Sequence, residues 1–192
     1  MNAYDLLKFV HVITAVFMAA PLYNLIVVNE RARFGKAHLQ VDQYFESIIR
    51  GNSIRCYTFQ STALVTGILL ATLSDSFSAV FTNWVLLLKL LLLLALMGLL
   101  SVVHFSIQPR IDGLLAQATG DTIAPQLAAE IAPLRLKRKR FAAVCLFLVV
   151  TTVILGLQVF ARFTPQTTIG LTGLAAIFAW RVYRSRIAYG WV

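Results

Sequence analysis

Ionisable residues inside long apolar runs are the positions at which this sequence could do chemistry. His11 lies in the apolar run 6–28, and Lys89 and His104 lie in the run 84–107, which contains no other ionisable residue. Imidazole is the commonest metal ligand among side chains and also works as an acid or base near neutral pH. A lysine at the centre of a bilayer costs roughly 2.5–3.5 kcal/mol, so a functional partner is expected near it.

The length of these runs indicates that they cross a membrane. The 24 residues from 84 to 107 form about 36 Å of helix, which spans a hydrocarbon core of about 30 Å with some tilt. The chain has 192 residues, of which 59% are hydrophobic and 13% are charged, whereas soluble domains are about 25% charged. The composition therefore predicts an all-α, polytopic membrane bundle formed by one domain over residues 1–192.

Five transmembrane helices are predicted, a four-helix core and a C-terminal fifth, at about 6–28, 57–73, 84–108, 141–161 and 167–183. The first is interpreted as a retained helix and not a cleaved signal peptide, because Arg31, Arg33 and Lys36 follow it. Residues 29–55 are expected to form a polar connection. Pro109 is expected to end the third helix, and short interfacial helices, with Asp121 as a cap, are expected over 111–134.

The distribution of basic residues predicts the orientation of the chain. Loops 29–55 and 109–140 and the C-terminal tail hold five, six and three Lys or Arg residues, which is 14 of the 17. The positive-inside rule then places the N-terminus outside and the C-terminus inside a bacterial cytoplasmic (inner) membrane. The basic run 135–140 is expected either to contact anionic lipid or to act as a topology signal. This distribution accounts for the net charge of +9 without a nucleic-acid partner.

Helical rise places His11 and Lys89 at one depth. Each lies five residues inside the outer start of its helix, about 7–8 Å below the boundary, whereas His104 lies about 22 Å deeper than Lys89. His11 and Lys89 can therefore bracket one haem, with His11 as the axial metal ligand. Lys8, one turn above His11, would pair with a propionate. Small or flexible residues on the same face would leave room for the macrocycle: Thr14, Ala15 and Met18.

Non-functional interpretations of the same residues remain open. His11 would then be hydrogen-bonded at the interface, and Lys89 would extend its amine outward to the headgroups. His104 is interpreted as an interfacial histidine and His38 as a solvated loop residue. Cys56 and Cys145 stand alone, so neither a disulfide framework nor a zinc site is indicated, and both are interpreted as packing residues.

Three groups of residues form short motifs at the helix ends. The first is Leu7-Lys8-Phe9-Val10-His11, and the second is Arg55-Cys56-Tyr57 followed by Thr66-Gly67. The third comprises Trp84, Lys89, His104-Phe105 and Arg110. These motifs resemble the first, second and third helices of the HemJ-type protoporphyrinogen oxidases and their CopD-like relatives, and the similarity covers about residues 5–160.

The resemblance implies that the chain binds haem b and oxidises protoporphyrinogen IX, with His11 and Lys89 carried over as the essential pair. Electrons would then leave to a quinone or a respiratory partner. The chain departs from the family in lacking an arginine near Ile26 and in two spacings around Lys89, from Trp84 to Lys89 and from Lys89 to His104, which are shorter in the family. The family's Asn-Glu-x-Pro element is reduced here to 129–133, Ala-Glu-Ile-Ala-Pro. These departures are typical of a distant member, in which haem binding is the more transferable feature.

Three hypotheses for function follow from the sequence. The first is a haem-b-binding membrane redox protein that oxidises a porphyrinogen through His11 and Lys89. The second is a non-enzymatic subunit or scaffold, as a homo-oligomer or within a respiratory complex in the lipid bilayer. The third is copper transport as in CopD-like proteins, which the scattered methionines disfavour.

Overall fold

The structure is a computed structural model that describes residues 2–28, 39–74, 77–161 and 163–184. His38 and several loop and tail cations lie outside these ranges: Arg31, Arg33, Lys36 and Arg186. Within them the chain is entirely helical, with no strand. The helices are α1 (Ala3–Phe17), α2 (Ala19–Val28), α3 (Leu39–Ser74), α4 (Ala79–Thr82), α5 (Trp84–Val102), a π-helical segment (Val103–Ile107), α6 (Gln108–Leu115), α7 (Pro125–Ala161) and α8 (Pro165–Arg184).

Four stretches of the described chain are long and apolar enough to cross a membrane. They are Ala3–Ile26, Leu39–Ser74, Trp84–Leu115 and Pro125–Gln158. The prediction of an all-α, multi-pass membrane bundle is therefore confirmed. The predicted fifth span corresponds to α8, a 20-residue helix that packs against α7. Because α8 is not among the four candidate spans, a fifth crossing stays a prediction, as does the orientation of the termini.

The first span is two helices in series. Asn2 and Asp5 form a capping box that begins α1: the Asp5 N–H donates to the Asn2 side chain at 2.8 Å. α1 ends at Phe17, and α2 begins at Ala19. Pro21 explains the break, because it has no N–H to donate to the carbonyl oxygen four residues earlier, at Phe17, and its ring crowds that carbonyl.

Two helices extend well beyond the apolar runs that predicted them. α3 begins at Leu39 and α7 begins at Pro125, so the predicted polar connection over 29–55 is wrong for residues 39–55. Asp121 does not precede a helix as predicted, since α7 begins four residues later, at Pro125. Its carbonyl oxygen accepts from the Leu39 N–H, at the start of α3, at 2.8 Å. The physical reason for the extension is that the two polar helical ends pack together and compensate each other's charge, as described below.

Pro109 does not end the third helix, contrary to the sequence prediction. The helix widens into the π-helical segment Val103–Ile107 and continues as α6, with the proline in its first turn. A proline in the first turn of a helical segment loses little, because an N–H at that position lacks an intrahelical partner anyway. The π-helical turn therefore lets the chain pass the proline without ending the span.

Two apolar clusters hold the bundle together. The larger includes Met18, Ile49, Leu96 and Val149, each no more than 2% exposed, and joins α2, α3, α5 and α7. The smaller centres on Ile111 and Ile131 beside the charged ends of α3 and α7. The outward faces carry large exposed apolar side chains, such as Phe9 and Phe105 at 61% and 72%, as expected for helices that face lipid.

Candidate functional site

His11 packs into a notch on α3 made by two small residues. Its ring Nδ1 lies 2.8 Å from the Thr66 hydroxyl oxygen. A Cβ added to Gly67 would lie 3.1 Å from the His11 Cε1, which is tighter than an ordinary van der Waals contact. The absence of a side chain at Gly67 is therefore what lets α1 bring the imidazole against the backbone of α3.

The hydrogen bonds of Thr66 favour a proton on Nδ1 of the His11 ring. The Thr66 hydroxyl donates to the Thr62 carbonyl oxygen at 2.6 Å, so its oxygen is left to accept from the His11 Nδ1–H. The Ala63 carbonyl oxygen is a further acceptor beside the ring. A ring protonated at Nδ1 presents the Nε2 lone pair, the form in which imidazole ligates a metal.

Lys89 turns its amine inward, toward α7. Its Nζ lies 3.7 Å from the position of a Cβ added to Gly156, so this glycine leaves the space that the amine approaches. The side chain is half-buried and interacts electrostatically with the His11 ring. This geometry disagrees with the interpretation that Lys89 extends outward to the headgroups. The structure thus places Lys89 within electrostatic range of His11, and the functional role of the two residues stays a prediction.

The helical face below His11 is filled, contrary to the expectation that it leaves room for a macrocycle. Thr14 and Met18 are 6% and 2% exposed, because they pack against neighbouring helices. Toward the start of α1 the site is more open, since Lys8, His11 and Lys89 are each half-buried. A macrocycle would therefore have to reach the ring from the side of Lys8.

His104 lies apart from this pair, in the π-helical segment. Its ring packs edge-on against Tyr57 and Phe105, with centroids 5.9 and 4.8 Å away. The Tyr57 hydroxyl bonds the Ser101 hydroxyl at 2.8 Å. The packing ties α3 to the π-helical segment and does not place His104 beside His11.

A buried charged network at the opposite end of the bundle was missed by sequence reasoning. It consists of Asp42, Glu46, Arg50, Gln108, Asp112, Arg135 and Arg138. Arg138 is 0% exposed, and its Nη1 donates to Glu46 Oε2 and to Gln108 Oε1 at 2.6 Å each. The expectation that the run 135–140 contacts lipid is therefore wrong for Arg135 and Arg138, which pair with α3.

The network joins three helices through shared acceptors. Glu46 accepts from Arg138 and also from Arg135 Nε at 3.1 Å, and Arg135 pairs with Asp42 as well. Gln108 donates to Glu46 and to Asp112 at 3.1 Å each. The signal in the sequence was the spacing: Asp42 and Glu46 lie four apart and Arg135 and Arg138 three apart, so each pair shares a helix face.

Metal-binding clusters of three or more His, Cys, Asp or Glu side chains do not occur among the residues that the structure describes. The candidate site offers one imidazole, of His11, and one amine, of Lys89. This set fits a single axial position on a haem iron and lacks the several ligands of a protein-only metal centre.

Comparisons with known proteins are consistent with this architecture. The model of the family DUF2269, described as a predicted integral membrane protein, matches residues 5–161. The match begins within α1 and ends at the last residue of α7, so it covers all four candidate spans. No curated protein and no solved structure matches the chain. The chain therefore belongs to the DUF2269 family of predicted integral membrane proteins.

Proposed function

We propose that this protein is a membrane redox protein that binds haem b through His11. The observation that carries the proposal is the 2.8 Å contact between His11 Nδ1 and the Thr66 hydroxyl, which also lies 2.6 Å from the Thr62 carbonyl oxygen. With the Thr66 proton donated to Thr62, Nδ1–H donates to Thr66 and Nε2 is the ring nitrogen that would ligate. Bound haem would supply one-electron redox chemistry. The resemblance of residues 5–160 to HemJ-type and CopD-like proteins supports the same cofactor.

Thr66 would position the ligand in this proposal. Metal-ligating histidines almost always donate their other ring N–H to a carboxylate, a carbonyl or a water, and this bond fixes both the tautomer and the ring orientation. Here the acceptor is a hydroxyl whose own proton is engaged by Thr62. Gly67, next to Thr66 on α3, lies against the same edge of the ring, nearest its Cε1. The ring is therefore positioned by α3 before any metal binds.

Lys89 and Lys8 would supply positive charge to an anionic macrocycle. A haem propionate is an anion, and a desolvated ammonium–carboxylate pair gains much more than an exposed one. Lys89 is directed into the bundle beside Gly156, and Lys8 lies one turn from His11. We assign Lys89 the role of charge partner of the porphyrin or second ligand of the haem iron, and Lys8 the role of pairing with a propionate.

The finer proposal is the reaction, oxidation of protoporphyrinogen IX to protoporphyrin IX. It rests on the resemblance of His11 and Lys89 to the essential pair of the HemJ-type enzymes. In this reaction the porphyrinogen loses electrons and protons, and a quinone or a respiratory partner would take the electrons. Haem binding is independent of this step and is tested first.

The test is the absorption spectrum of the detergent-purified protein and two histidine variants. Wild-type protein is expected to show a Soret band, and His11→Ala is expected to lose it. His104→Ala is the matched control, because it removes an imidazole that also lies in an apolar run but is outside the site.

Loss of the band in His104→Ala together with its retention in His11→Ala would refute the assignment. Absence of the band from folded wild-type protein, after haem is added, would refute haem binding itself. That second result would favour the hypothesis of a non-enzymatic subunit of a larger assembly.

A further inference from the structure

A partly open cavity lies between α2, α3, α5 and α7, beside Arg138 of the charged network, and His11 is not among its lining residues. Its polar lining includes Asn52 and Gln60 of α3 and Arg138 of α7, and its walls include Leu25 and Phe141. The centres of water molecules can occupy about 30 Å³ of it. We call this space the inner cavity.

Four buried polar atoms at the inner cavity have no protein partner. They are Asn52 Nδ2, Asn52 Oδ1, Gln60 Oε1 and Arg138 Nε. Asn52, Gln60 and Arg138 are 2%, 3% and 0% exposed, respectively. A buried polar atom without a partner costs about 1–3 kcal/mol, so four such atoms around one cavity point to a ligand that bonds them.

The size of the inner cavity selects the ligand. One water needs about 10–15 Å³ of space for its centre and makes about 2–4 hydrogen bonds to buried polar groups. The volume thus suits about two waters, and two waters can serve all four unpartnered atoms. A ring-sized molecule such as a quinone headgroup is too large for this space.

The charge around the inner cavity also selects a neutral ligand. In the charged network, as far as the structure describes it, three guanidinium groups face three carboxylates: Arg50, Arg135, Arg138, Asp42, Glu46 and Asp112. Arg138, the charged group that lines the cavity, already donates twice to Glu46. An anion would therefore find no uncompensated positive charge from this network.

We propose that the inner cavity binds about two water molecules that bridge Arg138, Asn52 and Gln60. The two α3 residues are separated by eight positions, about 12 Å along the helix axis. The bound water therefore continues the hydrogen bonds of the charged network into the apolar part of the bundle. This site is distinct from the His11–Lys89 pair, and the proposal does not depend on haem.

Water-edited solid-state NMR of the protein in liposomes tests the proposal through the side-chain amide signals. Gln108 is the internal control, because it is 3% exposed like Gln60 but bonds to protein at both ends of its amide. Transfer from water to the Asn52 and Gln60 amides is expected to build up several-fold faster than transfer to the Gln108 amide. Equal build-up at all three amides would overturn the proposal.

The variant Asn52→Leu gives a second readout, because leucine fills the amide's place without hydrogen bonds. Transfer from water to the Gln60 amide is expected to slow toward the rate at Gln108. Unchanged fast transfer at Gln60 would show that the water there does not depend on Asn52 and would contradict the bridge. Replacing buffer chloride by sulfate should leave wild-type build-up unchanged, and a dependence on the anion would overturn the choice of a neutral ligand.

Discussion

The variant Gly67→Ala perturbs His11 without changing any polar atom. The new Cβ would lie 3.1 Å from Cε1 and 3.7 Å from Nδ1 of the ring. The ring must therefore move by a few tenths of an ångström, which lengthens its 2.8 Å contact with Thr66. A hydrogen bond of this kind contributes about 0.5–1.5 kcal/mol, and loss of such outer partners typically weakens metal binding about 10–100-fold.

Gly51→Ala is the matched control, because it lies in the same helix and its added Cβ would meet nothing within 4 Å. Both substitutions gain helix propensity of about 1 kcal/mol, so the difference between them isolates the contact with His11. We expect Gly67→Ala to be less stable than Gly51→Ala by about 0.5–1.5 kcal/mol in detergent unfolding. We also expect it to bind haem more weakly in a titration followed at the Soret band. Equal stability and equal haem affinity of the two variants would refute the placement of His11 against Gly67.

Further predictions concern Lys89, the charged network and the topology. Lys89→Met should weaken haem binding by about 2–4 kcal/mol if the amine pairs with a carboxylate, while Lys89→Arg should keep haem content and spectrum; unchanged binding in Lys89→Met would remove Lys89 from the site. Glu46→Gln should cost about 3–5 kcal/mol of stability, because it leaves the fully buried Arg138 without its charge partner. Arg50→Gln breaks a pair with Asp112 in which the two side chains are 58% and 29% exposed, so it should cost only about 0–1 kcal/mol of stability. Thermal unfolding measures both variants, and similar losses of stability would contradict the network. In a background without native cysteines, an impermeant thiol reagent applied to intact cells should label Ser78→Cys and not Gln117→Cys, and equal labelling would overturn the predicted orientation.

The common depth of His11 and Lys89 was accessible from the sequence because it follows from helical rise alone. When two helices cross a membrane in the same direction, residues that are equally far from the starts of their helices lie at the same depth. The sequence did not reveal what fixes the ring, since the contact of His11 with Thr66 joins residues 55 positions apart. The packing that fills the face of Thr14 and Met18 was likewise a property of the assembled bundle.

The charged network escaped prediction for a related reason. Hydropathy ends a predicted span where charges begin, so α3 was expected to start near Tyr57 and α7 near Phe141. In the folded chain Glu46 and Arg138, 92 positions apart, neutralise each other, and helix continues through both charged stretches. Pro109 misled the prediction because the π-helical turn before it accommodates the proline.

The claim that His11 ligates haem is tested most directly by replacing its side chain with a free ligand. His11→Gly removes the imidazole and leaves space beside Gly67, so this variant should lack the wild-type haem spectrum. Added imidazole should restore that spectrum in His11→Gly and should not alter the wild-type protein. A wild-type spectrum in His11→Gly before any imidazole is added would contradict the account, because the haem would then be held by another residue.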